Sequence, residues 1–480
     1  MARRLLILSL GAALGGCAVG PDYQKQEPQA PATWVNARGH LDHFTLAEEK
    51  NLQKWWTTFK DPILERLIQQ GLRGNLDLKQ ALARIDQTRA ERSAQRALLF
   101  PQIGSATFGG YLDNLVPGQT LNGNSLGLIA SGFDAFWEID LVGRLRRKLE
   151  SASALQDAAR EKYQATWSVL TADIARSYTE FRNLQKQASI TQRNLLAQKK
   201  VLELTQRLEN EGVGTRYDVS RARNETETTA AKLPRIESEL RQHQHTLEVL
   251  LGQKPGELAA LLTPPRDVPQ ASDNGLLLTP AQALRLRPDI REAERNLAAA
   301  TANQGAALAE MFPKISVAAF VGLQNSDLES LFRSKAFSWA SGSSIMQPIF
   351  NFGRIRAGIN LADARAQETL LHYEKTVLEA LRETETAMAR YLAEQQRQKT
   401  LVSATKEARE ALRLAQLRYQ EGVSNFLEVL DTERVLLANE LALAECEALS
   451  TLHLINLYKA LGGAGNLDLP NPEDPLRPWG

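Results

Sequence analysis

The chain has 480 residues, 43% hydrophobic and 24% charged, with 57 basic against 56 acidic side chains. That is enough apolar material for sizeable cores, so disorder is not the default reading, and the near-even charge gives no reason to expect a nucleic acid partner. Only Cys17 and Cys446 are present, which excludes a disulfide framework.

Arg3 and Arg4 precede an apolar run from Leu5 to Leu14 that is too short to cross a bilayer, and residues 1–16 read as a signal peptide. Without those two arginines, 55 basic residues face 56 acidic ones, a net charge of −1. Leu14-Gly15-Gly16-Cys17 resembles a bacterial lipobox, in which two small residues precede a cysteine that takes up diacylglycerol; lipidation is expected at Cys17. Ala18 follows, not Asp, and by resemblance to lipoprotein sorting rules this favours the outer membrane. Beyond residue 20 no apolar stretch approaches the ~20 residues of a membrane helix, so any spanning must be done by strands. Pro21, Pro28 and Pro31 give the mature N-terminus the look of an extended strap.

An internal repeat with a period of about 210 residues organises the rest. Asn75-Leu76-Asp77 through Phe100-Pro101 aligns with Arg287-Pro288-Asp289 through Phe312-Pro313; Gly143-Arg144 aligns with Gly353-Arg354, and Glu211-Gly212-Val213 with Glu421-Gly422-Val423. Each copy opens with a helix, 75–99 or 288–311, which Pro101 or Pro313 ends. The period then falls to two, giving strands at 103–112 and about 126–137, joined through a turn-rich segment around Pro117 and Gly123, and at 315–324 and 337–349 in the second copy. Long helices follow, 144 to about 209 and 355 to about 420; roughly 65 residues at 1.5 Å each extend ~100 Å, wider than a globular domain. Gly212 and Gly422 permit reversal at the tips, and return helices run to about Gly252 and Gly462. Pro234 should kink the first of these. The second carries Leu430, Leu437, Leu441, Ala448, Leu452 and Ile455 as a coiled-coil seam, facing Ala404, Ala408, Ala411 and Ala415.

Strands cross a membrane only in a closed barrel, because lipid leaves free backbone groups unsatisfied. Four strands cannot close around anything, so several copies must share one barrel, and three copies would supply twelve strands. Phe133, Phe136 and Trp137 are expected near an interface as an aromatic girdle.

Several motifs carry a family resemblance that covers nearly the whole chain: Cys17-Ala18-Val19-Gly20-Pro21-Asp22-Tyr23, Trp55-Trp56 with Phe59-Lys60-Asp61-Pro62, Asn75-Leu76-Asp77-Leu78, Trp137-Glu138-Ile139-Asp140-Leu141 with Gly143-Arg144, and Arg287-Pro288-Asp289-Ile290-Arg291. The sequence resembles the TolC-like outer membrane factors, specifically the NodT-type lipoproteins of RND efflux systems. The resemblance implies a mixed α and β chain, mostly α, forming a trimeric twelve-stranded outer-membrane β-barrel with four strands per chain, continued by a long periplasmic α-helical coiled-coil barrel. The segments expected are a lipid-anchored strap and equatorial segment at 17–74, a first repeat at 75–253, an equatorial linker at 254–286, a second repeat at 287–462, and an irregular equatorial tail at 463–480.

The same resemblance implies a homotrimer working with a periplasmic adaptor protein and an inner-membrane RND pump, a passive exit duct for drugs or other small toxic solutes, gated at its periplasmic end. Leu427, Asp431 and Arg434 match the family's gate positions and Glu428 a further acidic one. Glu428 and Asp431 are three residues apart and share a helix face, so three copies would ring one axis with carboxylates that need partners. Asp218, Arg221 and Asn224 stand at the equivalent places of the first repeat, and Arg216, Arg221 or Arg223 could brace the ring. The tips Gly212, Val213, Gly214, Thr215 and Gly422, Val423, Ser424, Asn425 look like adaptor-docking surfaces. Pro101, Pro313, Gly143 and Gly353 resemble the junctions between the two barrels. Read as sequence alone, the charged positions are equally a solvated helix face and the tips plain turns. A type I secretion duct and a poreless coiled-coil envelope lipoprotein are the rival readings.

Nothing suggests catalysis, a cofactor or a metal. His243 and His245 lie two apart on a helix and point to different sides, Cys446 falls within an apolar helical pattern, and neither a phosphate-binding glycine loop nor a nucleophile elbow occurs. Four methionines, none clustered, are at most a weak argument against copper or silver export.

Overall fold

The computed structural model describes residues 18–46, 52–112, 126–271, 274–326 and 328–463. The signal peptide, Cys17, the turn segment around Pro117 and Gly123 and the tail from 464 lie outside the described residues. The chain folds as two compact units, one of residues up to 26, 83–160 and 292–374, the other of 27–82, 161–291 and those from 375 on.

In chain order the elements are β1 (Phe44–Leu46), α1 (Pro62–Gly74), α2 (Leu76–Ala97), β2 (Gln102–Leu112), β3 (Leu126–Ile139), α3 (Arg144–Asn210), α4 (Arg216–Ala230), α5 (Lys232–Leu250), α6 (Ala259–Leu262), β4 (Gly275–Leu277), α7 (Pro280–Leu286), α8 (Pro288–Ala309), β5 (Lys314–Asn325), β6 (Phe337–Met346), α9 (Arg354–Gln420) and α10 (Phe426–Ala460). Most of the described chain is helical. The run of helix, strand pair, long helix and return helix occurs twice, with α3 and α9 each 67 residues long. No helix among the described residues is long and apolar enough to cross a membrane.

Part of the 17–74 segment is helical, which the proline-rich strap had hidden. Asp61 accepts from the Ile63 and Leu64 amides at 2.8 and 3.1 Å and Pro62 takes the first helical position, so α1 starts with an N-cap that needs no tertiary help. Its Ile63, Leu64, Leu67 and Ile68 are buried. Upstream, Trp34 donates to the Leu278 carbonyl at 2.7 Å and β1 pairs in parallel with β4, which joins the N-terminal segment to the linker. Trp55 packs on Tyr458 and Trp56 on Trp167.

The first return path is interrupted at Ala231, between α4 and α5. Pro234 has no N–H to offer the Ala230 carbonyl four residues earlier, so the break falls upstream of the proline itself. On α10, Leu430, Leu437, Ala448 and Ile455 are buried as the seam requires, while Leu441 and Leu452 are half-buried. Ala408 and Ala415 of α9 are buried, but Ala411 is exposed. The seam does not face α9 alone: Leu430 clusters with Ala222 of α4, and Leu437 with Ile190 of α3.

The strands form one antiparallel sheet in the order β2-β3-β5-β6. Cross-strand partners share a face, so the register sorts the side chains. One face carries Ile103, Phe133, Trp137, Val317, Val321, Trp339 and Ile345; the other is mixed, with Gly104, Ala130, Gly132, Ala318, Gly322, Ala340 and Ser344 but also Phe108, Leu128, Asp134, Phe136 and Phe320. Phe136 differs in parity from Phe133 and Trp137 and lies on the opposite face, so the three do not form one girdle. Strand β6 ends at Met346, not 349, because Pro348 cannot donate to a ladder.

Candidate functional site

The two hairpin tips are built alike. At the first, the Val213 and Gly214 amides both return to the Leu208 carbonyl, at 3.0 and 2.8 Å, over Gly212 in the left-handed region at φ +77°. At the second, Val423 and Ser424 return to the Arg418 carbonyl at 2.9 and 3.3 Å over Gly422 at φ +73°. These bonds satisfy the last carbonyls of the long helices. Thr215 and Asn425 cap the return helices, accepting from the Asp218 and Glu428 amides at 3.2 Å each. Each apex leaves a valine in solvent, Val213 at 77% and Val423 at 67% exposure.

Behind the second tip, Leu427, Asp431 and Arg434 follow one another at helical spacing along an exposed face of α10. The charges nearby are partnered unequally. Glu428 pairs with Arg418 across its own tip at 2.9 Å. Arg434 reaches α4, where Nε donates to Glu225 at 2.8 Å and Nη2 also binds the same oxygen. Asp431 is exposed and makes no ion pair among the described residues. Asp218 accepts from the Thr215 hydroxyl at 2.6 Å, and Arg221 donates to the Tyr217 hydroxyl and lies over its ring. Within the chain, then, Glu428 has Arg418 as its ion-pair partner.

Beneath this face lies Glu433, only 4% exposed, with one carboxylate oxygen lacking a hydrogen-bond partner. Burial first, and the Glu225 charge second, push its carboxyl up to about 7. Sequence reasoning missed Glu225, Arg418 and Glu433. The signal available was a glutamate interrupting the α10 seam.

The junction residues stand where strand meets helix. Pro101 and Pro313 immediately precede β2 and β5; Gly143 and Gly353, at φ +85° and +82°, immediately precede α3 and α9. Asp140 caps α3 through the Leu145 and Arg146 amides, and Arg144 pairs with Glu138 at 2.7 Å. The first described residues after Cys17 are fastened at this turn. The Val19 amide donates to the Val142 carbonyl at 3.0 Å, and a side chain at Gly143 would collide with Ala18. Buried Arg147 donates to the Val19 and Gly20 carbonyls and to Asp22.

His243 pairs with Glu180 and His245 with Glu248, and the described residues hold no cluster able to bind a metal ion. Cys446 is buried, and burial raises its thiol to about 12.

The chain leads from a four-stranded sheet through glycine turns into long helices, and the family model described as outer membrane efflux protein matches residues 67–253 and 279–463. The chain belongs to that family. It is 34% identical over 473 residues to the toluene efflux pump outer membrane protein TtgC of Pseudomonas putida, covering 96% of each chain. It is 30% identical over 434 residues to nodulation protein T of Rhizobium leguminosarum bv. trifolii, covering 90% of this chain and 91% of that one. Among solved structures it is similar to the outer-membrane channel OprN, with a TM-score of 0.88 at 36% identity over 93% of this chain and 99% of that one. By description these relatives are an efflux pump outer membrane protein, a nodulation protein and an outer-membrane channel.

Proposed function

We propose that the chain is the outer-membrane channel of a tripartite efflux system, a passive exit duct of three copies for drugs or other small toxic solutes, gated at its periplasmic end. The observation that carries this reading is the sheet. Its outer strands β2 and β6 each have one edge unpaired among the described residues, and one of its faces is richer in large apolar side chains while the other mixes small and charged residues with a few aromatic and aliphatic ones. In lipid such edges are costly unless closed, and three four-stranded copies joined β6 to β2 make a twelve-stranded barrel, apolar outside. The repeats 75–253 and 287–462 each supply two of the strands and continue as helices into the periplasm, with 17–74, 254–286 and the tail 463–480 as the equatorial parts. Lipid on Cys17 would sit beside the turn that Ala18 and Val19 clasp. The valine-tipped loops Gly212–Thr215 and Gly422–Asn425 offer a periplasmic adaptor an apolar contact, and an inner-membrane RND pump supplies the energy.

The gate is the face of Leu427, Asp431 and Arg434, with Glu428, Asp218 and Arg221 around it. Arg434 holds Glu225 in the closed state. An ion pair half in solvent contributes about 1 kcal/mol, enough to shift an open-to-closed ratio about fivefold per copy. Single-channel conductance in planar bilayers tests both parts. Wild type should be mostly closed, and Arg434→Ala and Asp431→Ala should open more often. Silence from all three proteins would sink the duct, and equal open fractions would sink the gate.

A further inference from the structure

The geometry points to a binding site for an elongated organic dianion in the second unit, on the face of α3, α9 and α10 turned away from the N-terminal strap. A cavity of about 400 Å³ lies between these helices and the start of α8. The strap side of the same helices is already taken: Glu385 accepts from the Val35 and Asn36 amides, Tyr391 meets Phe44, and Trp167 meets Trp56. The cavity uses other positions, with Arg382, Thr386 and Arg390 as one helical stripe of α9 and His453, Asn456 and Lys459 as one stripe of α10.

The charges around it do not cancel. Arg287 is neutralised by Asp289 and Glu383, which it binds at 2.6 and 2.8 Å, leaving one carboxylate charge over. Arg382, Arg390 and Lys459 line the cavity and make no ion pair or hydrogen bond among the described residues. That leaves a surplus of positive charge around a cavity whose middle is uncharged. Because α9 and α10 run antiparallel, Arg390 lies by His453 at one end, where its charge acts on the imidazole, and Arg382 lies toward Lys459 at the other. Burial first, opposed by Glu394 and assisted by Arg390, holds His453 below the usual histidine range, so at neutral pH it offers an uncharged ring nitrogen. Arg382 and Arg390 are eight residues apart, about 12 Å along the helix. Between them the wall is Ala165, Val169 and Ala387 with Ser168 and Asn456. Cations at both ends and an apolar middle fit a rigid solute with an acidic group at each end and an apolar body.

The site is read from this chain's side chains alone and rests on the duct reading only for its consequence, a foothold for anionic cargo. The test is isothermal titration of the purified full chain in a non-ionic detergent with naphthalene-2,6-disulfonate, against the neutral naphthalene-2,6-dimethanol. Saturable binding of the disulfonate is expected, weakened by salt, with Arg382→Gln and Arg390→Gln each reducing affinity about fivefold. Both arginines are exposed and unpaired, so their replacement leaves folding intact, and the disulfonate-to-diol comparison on wild type needs no variant. The site is ruled out by heat no different from empty micelles, by the diol binding as well as the disulfonate, or by unchanged affinity in both variants. Binding without conductance would keep this site and discard the duct; conductance without binding would do the reverse.

Discussion

Asn75 and Arg287 hold the same place in the two successive helical runs, one residue ahead of a 22-residue helix, and each donates to the last residue of a return helix. Asn75 reaches the Leu250 carbonyl and Arg287 the Ala460 carbonyl, both at 2.9 Å. The chemistry differs. Asn75 is a neutral latch that also caps α2 by accepting from the Leu78 amide. Arg287 is an ionic latch, gripping Asp289 with two nitrogens and Glu383 besides. One fastening point is met once by a cap and once by a charge cluster, so the two runs should respond differently to truncation, salt and pH.

The sharpest way to break that comparison is to truncate both latches and read urea midpoints. Arg287→Ala should cost about 3 kcal/mol, because a buried hydrogen bond to Ala460 and part-buried ones to two carboxylates are lost together. Arg287→Lys should recover only part of it, since an ammonium cannot reproduce the two-pronged grip. Next in size is an asymmetry in pH. α10 buries Glu433, while Arg223, its counterpart in the first run, is exposed. A carboxyl raised from 4.5 to about 7 contributes fully only below the lower value, and its contribution is lost as pH rises from there to about 7. Glu433→Gln should therefore raise stability at pH 8 by about 2 to 3 kcal/mol and change little at pH 4, measured by thermal melting at the two pH values. A variant as pH-sensitive as wild type would show that Glu433 is not the titrating group. The smallest effect belongs to the neutral latch: Asn75→Ala should cost about 1 to 2 kcal/mol and be insensitive to salt, whereas the Arg287 loss should shrink as salt rises.

Much of the architecture was legible because it is written in local period. Strand pairs, long helices and glycine-ended tips fell within a few residues of their observed places, since proline, glycine and the switch from a 3.6 to a 2.0 period act on neighbours along the chain. The misses have equally local or wholly non-local causes. Asp61-Pro62 is a plain helix start that the proline-rich strap masked, and Phe136 was grouped with Phe133 by proximity when parity places it on the other face. The partners Glu225 for Arg434 and Arg418 for Glu428 depend on how α4, α9 and α10 are rotated against one another, which no spacing within a single helix specifies.

The unpaired outer strands have a genetic consequence as well. In the proposed three-copy barrel, a chain whose β6 edge is spoiled by a proline still presents a sound β2 edge to a normal neighbour, so it is recruited and the ring it joins cannot close. Expressed in equal amounts with the normal chain, it would leave only about one three-copy assembly in eight free of it. A single defective allele should therefore behave as dominant, poisoning export in cells that still make the normal protein.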